Sequence, residues 1–387
     1  MRITYTATNR AHHYPLAKAL YGHGVLNAFV SGFSRFSPRA GIPELGDTLK
    51  RADMFQNLYL AATKLKMPPQ VIGVLNTSSN RYIDKVSYKY ASQSDIFIYY
   101  RTIGYKSSIK LHKNNNKCLC VLEEVNTHIN VCSKLMQTEF ETLDLGKFAE
   151  KFPDYKIRTK AYDEADYILC PSELVKKSFI SQGISKEKLI KIEYGFSSPV
   201  ENESLPANKP KNKFTVLYVG QLHYRKGLRY AINAFANLKH PNKEFVIVGN
   251  KTKVTGLEKT VIPDNVTFTG PLKGDALKKQ YKEASVFVLP SIEDGFGLVV
   301  AEAVSYGVPV IITENTGACD IVINSKHGFI VPAFESIGIQ ERLQNLADDR
   351  LLLNEMSENC FELSKSFGNW AITSGKLIAE LATKIEH

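Results

Sequence analysis

The chain has 387 residues, 44% apolar and 23% charged, with six cysteines and a formal net charge of +10. That length suits two domains better than one core, the balance excludes a disordered chain, and no apolar run approaches the ~18–20 residues of a membrane-spanning helix. Met1-Arg2-Ile3-Thr4-Tyr5 lacks the apolar segment and cleavage site of a secretory signal, so a cytoplasmic location is expected. Cys118, Cys120, Cys132, Cys170, Cys319 and Cys360 form no Cys-x-x-Cys and no zinc-finger spacing, which favours reduced, packed thiols.

The chain opens with a strand at Ile3 to Ala7, a polar break at Thr8-Asn9-Arg10, and a helix from His13 to Leu20 closed by Gly22 and Gly24. Val25 to Val30 reads as the next strand, which makes a parallel βαβ unit. Residues 45–92 read mostly as helices. Ile96 to Tyr100, Cys118 to Leu122 and Tyr167 to Ser172 read as later strands. Residues 200–213 are polar, contain two prolines and read as a linker. A second α/β series follows, with strands at Phe214 to Val219, Glu244 to Val248, Ser285 to Leu289 and Val308 to Ile312. Such near-continuous β-branched runs fit parallel strands covered on both faces. Two doubly wound α/β domains facing each other over a cleft are expected, with ligands beyond the carboxyl ends of the strands.

The charge is lopsided. Residues 1–200 carry 28 Lys and Arg against 18 Asp and Glu, whereas residues 201–387 carry 21 of each. Segment 97–120 holds Arg101, Lys106, Lys110, Lys113 and Lys117 with no acid. Such a face attracts nucleic acid, anionic lipid or an acidic substrate, or is simply solvated. The stretch 45–75 adds Lys50, Arg51, Lys64 and Lys66 beside Phe55, Leu58, Leu60 and Leu65, a composition compatible with an interfacial helix.

Two strings at strand ends carry chemistry. In Pro290-Ser291-Ile292-Glu293-Asp294-Gly295-Phe296-Gly297-Leu298 a strand stops, a Gly-rich turn follows, and a helix starts near Gly297. The free N–H groups and positive end of that helix suit a phosphate. Glu302, eight residues after Asp294, has the placement of a ribose-binding acid. In Gly220-Gln221-Leu222-His223-Tyr224-Arg225-Lys226-Gly227 two cations flanked by glycines suit a diphosphate, Arg225 as a planar fork and Lys226 as a point charge. Read alone, a helix cap and a solvated basic turn explain the same strings.

Together these residues resemble a retaining glycosyltransferase of family 4 with the GT-B fold. Gly220 to Gly227 resembles its G-R-L-x-x-x-K-G element, Asp294 to Glu302 its E-x7-E element, Tyr306 to Ile311 its G-x-P-V-I strand, and His327 to Val331 its N-G-x-L-V element. The resemblance implies residues 1–200 as an acceptor-binding domain completed by a crossover helix at 370–387, a linker at 201–213, and residues 214–369 as the donor-binding domain. It implies a UDP- or GDP-linked sugar as substrate, no cofactor, no metal, no nucleic-acid partner, and a glycan or lipid-linked glycan acceptor. An anionic membrane surface at the inner face of the cytoplasmic membrane is a further expected partner.

The roles implied are residue by residue. Arg225 and Lys226 hold the donor diphosphate, Glu302 the ribose hydroxyls, Asp294 the transferred sugar, and Phe296, Gly297 and Leu298 offer backbone amides, with Gly220 and Gln221 beside them. Leu272 lies by the nucleobase, and His128 stands where a histidine lies against the donor sugar. Attack is expected on the front face, with the leaving phosphate accepting the acceptor's proton. The sequence departs from the pattern at Gln221, in place of an arginine, and at Asp294, in place of a glutamate, with Glu293 adjacent as an alternative first acid. Thr8-Asn9-Arg10-Ala11-His12-His13 replaces a Gly-Gly loop, which makes Arg10, His12 and His13 substitutes on the acceptor or phosphate side. A non-catalytic nucleotide-sugar-binding protein and a sugar-nucleotide epimerase are the alternatives on this fold.

Overall fold

The computed structural model describes residues 1–38, 40–144, 146, 148, 154–196, 212–252 and 254–385. Seven strands come first: β1 (Ile3–Ala7), β2 (Leu26–Ser31), β3 (Leu49–Arg51), β4 (Ile96–Tyr100), β5 (Leu119–Glu123), β6 (Tyr167–Cys170) and β7 (Leu189–Lys191). They form one sheet in the order β3-β2-β1-β4-β5-β6-β7, with every pair parallel. Six follow: β8 (Phe214–Val219), β9 (Lys243–Val248), β10 (Val266–Gly270), β11 (Val286–Leu289), β12 (Val310–Thr313) and β13 (Gly328–Val331). They form a second all-parallel sheet, β10-β9-β8-β11-β12-β13. Parallel pairing needs crossovers, and the intervening helices bury both faces of the central strands, so Tyr5, Ile98, Val216 and Phe287 are fully covered.

Strand order reverses between β1 and β4 in the first sheet and between β8 and β11 in the second. At such a switch point the loops after neighbouring strands diverge and leave a crevice. The two crevices face each other. Each half is a Rossmann-like domain, and the pair is the GT-B architecture.

The expected helical stretch 45–92 is corrected in one place. Leu49–Arg51 is an edge strand, so Lys50 and Arg51 leave the proposed interfacial helix, while Met54–Lys64 and Pro69–Ala91 are helices. Three residues of strand carry no periodic signal, which is also why β7 was not legible. The linker expected at 201–213 lies mostly outside the described residues. The last helix, Trp370–Ile385, places Leu377 and Leu381 in the core of the first sheet. The six cysteines are unbridged, and all but Cys319 are buried.

The halves are joined by polar contacts. Glu139, fully buried on the helix Ile129–Thr142, receives Arg229 at 2.9 Å and 3.1 Å and the Tyr230 hydroxyl at 2.8 Å. Lys191 pairs with Asp320 at 2.9 Å. Glu139→Ala strands a guanidinium and a phenol at the interface, so it is expected to cost about 3 kcal/mol, the scale of a broken buried pair. A calorimetric melt checks this; an unshifted transition would mean that the interface does not depend on the pair.

Candidate functional site

The cleft between the two sheets encloses about 370 Å³. Its C-terminal wall grows from the loops after β8 and β11. After β8 the chain turns through Tyr224–Lys226, which puts Arg225 and Lys226 side by side. The Arg225 Nη1 donates to the Glu293 backbone carbonyl at 2.8 Å and to Glu293 Oε2 at 3.0 Å. Lys226 is ion-paired with Asp294. Both Asp294 and Lys226 line the cleft, whereas Glu293 is fully buried and does not.

These groups tune one another. Burial works against the Asp294 charge, but the Lys226 and Arg225 cations outweigh it and hold the carboxyl below its ordinary range. Burial lowers the Lys226 ammonium, and Asp294 offsets this only in part. Burial also opposes the Arg225 charge, yet Glu293 and Asp294 keep it firmly protonated.

The turn after β11 contains two glycines with physical tasks. A Cβ on Gly295 would lie 1.8 Å from the Val125 carbonyl oxygen of the other domain, so only glycine permits this approach. Gly297 has φ +77° and starts the helix Leu298–Ser305, whose first N–H groups lack intrahelical acceptors and border the cleft. One turn into that helix, Glu302 leaves the cleft and lines a second pocket of about 200 Å³ with Phe196, Gly274, Leu277, Tyr281 and Tyr306. The Tyr281 hydroxyl donates to Glu302 Oε2 at 2.8 Å. Burial raises the Glu302 carboxyl, and the tyrosine bond partly counters it. Leu272 packs half-buried against the core just before the helix Gly274–Glu283. Gln221 is exposed, and it lines the cleft with Gly220.

The N-terminal wall departs from the sequence reading. His128 does not line the cleft. It caps the helix Ile129–Thr142, its Nδ1 accepting the Asn130 N–H at 3.2 Å, and it packs between Tyr162 and Phe179. Burial and then the Arg158 charge lower it to about 4. Asn126 reaches the site instead. Its amide donates to both Glu293 carboxylate oxygens, at 3.2 Å and 3.0 Å, and its carbonyl accepts Arg101 at 2.7 Å.

His12 lines the cleft, and its Nε2 lies 2.8 Å from Glu123 Oε1. Tyr5 donates to Glu123 Oε2 at 2.7 Å, and His13 Nδ1 lies 3.2 Å from the same oxygen. Burial opposes the Glu123 charge, but the two histidines keep its carboxyl well below the carboxylate range. His13 is fully buried behind His12. Arg10 lies over the Tyr14 ring and borders a neighbouring cavity of about 790 Å³ rather than the cleft. Glu123, Asn126, Arg101 and Tyr194 were not singled out as site residues from sequence; the one available signal was a carboxylate directly after the apolar run of β5.

Residues 200–362 match the family model described as "Glycosyl transferases group 1". The C-terminal half carries a glycosyltransferase group 1 domain. The capsular polysaccharide biosynthesis glycosyltransferase CapM of Staphylococcus aureus is 29% identical over 212 residues, 50% of this chain and 55% of CapM. The chain spans about half the length of the curated relatives it matches. Sucrose-phosphate synthase from Thermosynechococcus elongatus superposes with a TM-score of 0.70 at 18% identity, covering 99% of this chain and 100% of that one. Anabaena Alr3699/HepE, solved in complex with UDP-glucose, gives 0.65 at 15% identity, with 99% and 100% covered. These likenesses show the fold.

Burial, followed by the His12 charge, lowers His13 to about 4, against a weaker pull from Glu123. Because this folded value lies below the ordinary 6.5, the unfolded chain takes up the proton first as pH falls. Stability from this group is therefore complete above about pH 6.5 and is lost between there and about pH 4. The melting temperature is expected to fall across that window, and less steeply in His13→Gln. Parallel curves for the two proteins would show that His13 carries its proton when folded.

Proposed function

We propose that the chain is a glycosyltransferase moving a hexose from a UDP- or GDP-linked sugar to a glycan or lipid-linked glycan, in bacterial lipopolysaccharide, capsule or exopolysaccharide synthesis. The observation that carries this reading is the convergence of two anion-binding elements on one interdomain cleft: the Arg225–Lys226 turn and the amide end of the helix Leu298–Ser305. Placed there, a diphosphate puts its nucleoside towards Glu302 and Leu272 and its sugar towards Asp294. The group 1 domain match and the UDP-glucose seen in HepE support such a donor.

In this reading Lys226 exchanges its Asp294 partner for phosphate oxygens, which frees Asp294 for the sugar hydroxyls. Charge developing on the leaving diphosphate is met by fixed cations and amides, so no metal is required. The family 4 resemblance implies retention of configuration, and no covalent nucleophile is assigned. The N-terminal domain receives the acceptor, and closure over the cleft excludes water.

Glu302→Ala is expected to weaken binding of the nucleoside diphosphate by about 1.5–3 kcal/mol, the worth of hydrogen bonds to a charged group. Lys226→Ala is expected to lower turnover more than donor affinity, because it acts on charge that develops in the transition state. Arg225→Ala is the less clean probe, since it also strips buried Glu293 of its cation. Titration calorimetry against a panel of UDP and GDP sugars, with turnover measured in EDTA, tests all of this. Unchanged affinity in Glu302→Ala removes the ribose assignment, and a metal-reversible loss of turnover removes the metal-free mechanism.

The acceptor side extends to an anionic membrane surface. Leu58, Leu60, Leu65, Met67 and Val74 stand exposed on the two helices after β3 and their connection, with Lys64 and Lys66 beside them. Lys106, Lys110, Lys113 and Lys117 are exposed on and after the helix Tyr105–Lys113. Basic residues near an anionic bilayer contribute about 1 kcal/mol each and are screened by salt. The full chain is expected to sediment with phosphatidylglycerol vesicles at low salt, to be released at high salt, and to lose binding in Leu58→Glu/Leu65→Glu. Equal sedimentation of that variant would reject this face as the contact.

A further inference from the structure

We propose that His112, Cys120 and Asp166 form a binding site for a divalent metal of the zinc class, with Glu164 orienting the histidine. The site is separate from the cleft and does not rest on the transferase reading. It lies at the amino ends of β5 and β6, where Cys120 is the second residue of β5 and Asp166 directly precedes β6. His112 enters from the last turn of the helix Tyr105–Lys113, and Glu164 ends the helix Tyr155–Glu164.

The donor atoms converge. One ring nitrogen of His112, the Cys120 sulfur and one Asp166 oxygen all lie within 4.8 Å of one another. His112 Nε2 is 3.2 Å from Asp166 Oδ2. Tetrahedral bonds of about 2.0–2.3 Å place ligand atoms roughly 3.3–3.8 Å apart, so the three need to close in by only about 1–1.5 Å. Asp166 Oδ2 also accepts the Cys120 N–H at 2.7 Å. A carboxylate offers about four lone-pair sites, so that bond and a metal bond coexist.

The surroundings prepare each donor. Glu164 Oε1 lies 2.8 Å from His112 Nδ1. A carboxylate there takes Nδ1–H and leaves the Nε2 lone pair on the side of Asp166, which is how metal-bound histidines are held. Burial opposes a charge on the ring, but Glu164 and Asp166 outweigh it and raise the imidazole above its ordinary range. The position thus already draws positive charge, and the metal takes the place of the proton. Lys188 also feels these carboxylates, but its ammonium donates to the Asp163 carbonyl at 2.8 Å.

Burial pushes the Cys120 thiol up to about 12, which keeps it protonated on its own, whereas a coordinating thiol is deprotonated outright. The His112 and Asp166 side chains are 32% and 33% exposed, which gives the ion an entry path and a water for the fourth position. A donor set of nitrogen, sulfur and oxygen suits zinc and not magnesium or calcium, which take oxygen. Binding ties the helix Tyr105–Lys113 to β5 and β6, at the end of the sheet away from the cleft. The ion is therefore structural, and the metal-free reading of the transfer step is untouched.

The test uses the full-length chain stripped by chelation in a phosphine reductant, then titrated with Co²⁺ and with Zn²⁺. A thiolate-to-cobalt charge-transfer band is expected to saturate at one ion per chain and to disappear on adding Zn²⁺. Zn²⁺ should raise the melting temperature, and the same concentration of Mg²⁺ should not. His112→Ala and Cys120→Ala are each expected to lose both the band and the zinc-dependent shift. Glu164→Ala should keep the band and bind about 10–100-fold more weakly. His12, His13 and Glu123 also cluster, but that group has no sulfur, so the band distinguishes the two places. Melts without metal establish that each variant folds, and His112→Ala, at a partly exposed position, decides the matter if Cys120→Ala does not fold. Zinc lost to EDTA shows in the melt, so turnover in EDTA is measured well below the transition. No charge-transfer band on the folded wild type, a band that persists in folded His112→Ala, or a melting temperature that Zn²⁺ leaves unchanged would overturn the site. Undiminished affinity in Glu164→Ala would overturn the orienting role.

Discussion

The carboxylate of Glu293 holds the two halves in register. It is fully buried, sits in the turn after β11, and accepts Arg225 from its own domain and both the Asn126 side chain and the Thr127 N–H from the other. A buried charge tolerates few geometries, because each unmet lone pair costs desolvation energy that nothing returns. The Gly295 turn next to it is pressed against Val125, and the Ser172 hydroxyl donates to the Gly295 carbonyl at 2.7 Å. The cleft is therefore defined from both sides at one point, and the position of Arg225 follows from it.

That arrangement separates two adjacent acids by environment. Glu293 faces inward and fixes Arg225, while Asp294 faces the cleft with Lys226. Under the family resemblance, the aspartate at 294 in place of a glutamate coincides with a neighbour, Glu293, that takes the structural half of the work. Two cations and two acids leave the C-terminal wall close to neutral, so under the proposed function a diphosphate is met there by fixed dipoles and by Lys226 rather than by an open excess of charge. Under the proposed function the net positive charge of residues 1–200 acts elsewhere, on the acceptor side.

The N-terminal wall follows the same logic with a different carboxylate. Glu123 gathers Tyr5 from the first strand and His12 and His13 from the start of the helix that follows it, so β1 and β5 are tied together across β4, which lies between them in the sheet. Each domain therefore has a buried glutamate, Glu123 at the end of β5 and Glu293 in the turn after β11, that sets the orientation of a cationic or ionisable partner at the cleft. The contacts of His128 with Tyr162 and Phe179 show how easily a strand-end histidine is drawn into packing instead.

The sequence by itself determined the elements whose signal is local. An alternating run specified β1, and near-continuous apolar runs specified β4, β8 and β11, because a strand buried on both faces is filled mainly by apolar side chains. Glycine-bounded turns beside them specified where the strand-to-helix turns at the cleft had to be, since a helix start and a positive φ are properties of a few adjacent residues. Short edge strands such as Leu49–Arg51 and Leu189–Lys191 were not legible, because three residues show no period. Nor was the division of labour between Glu293 and Asp294, the removal of His128 from the site, or the meeting of His12 with Glu123, 111 residues apart. Those depend on which side chain finds a partner in low dielectric, and that is decided only when distant strands are brought side by side.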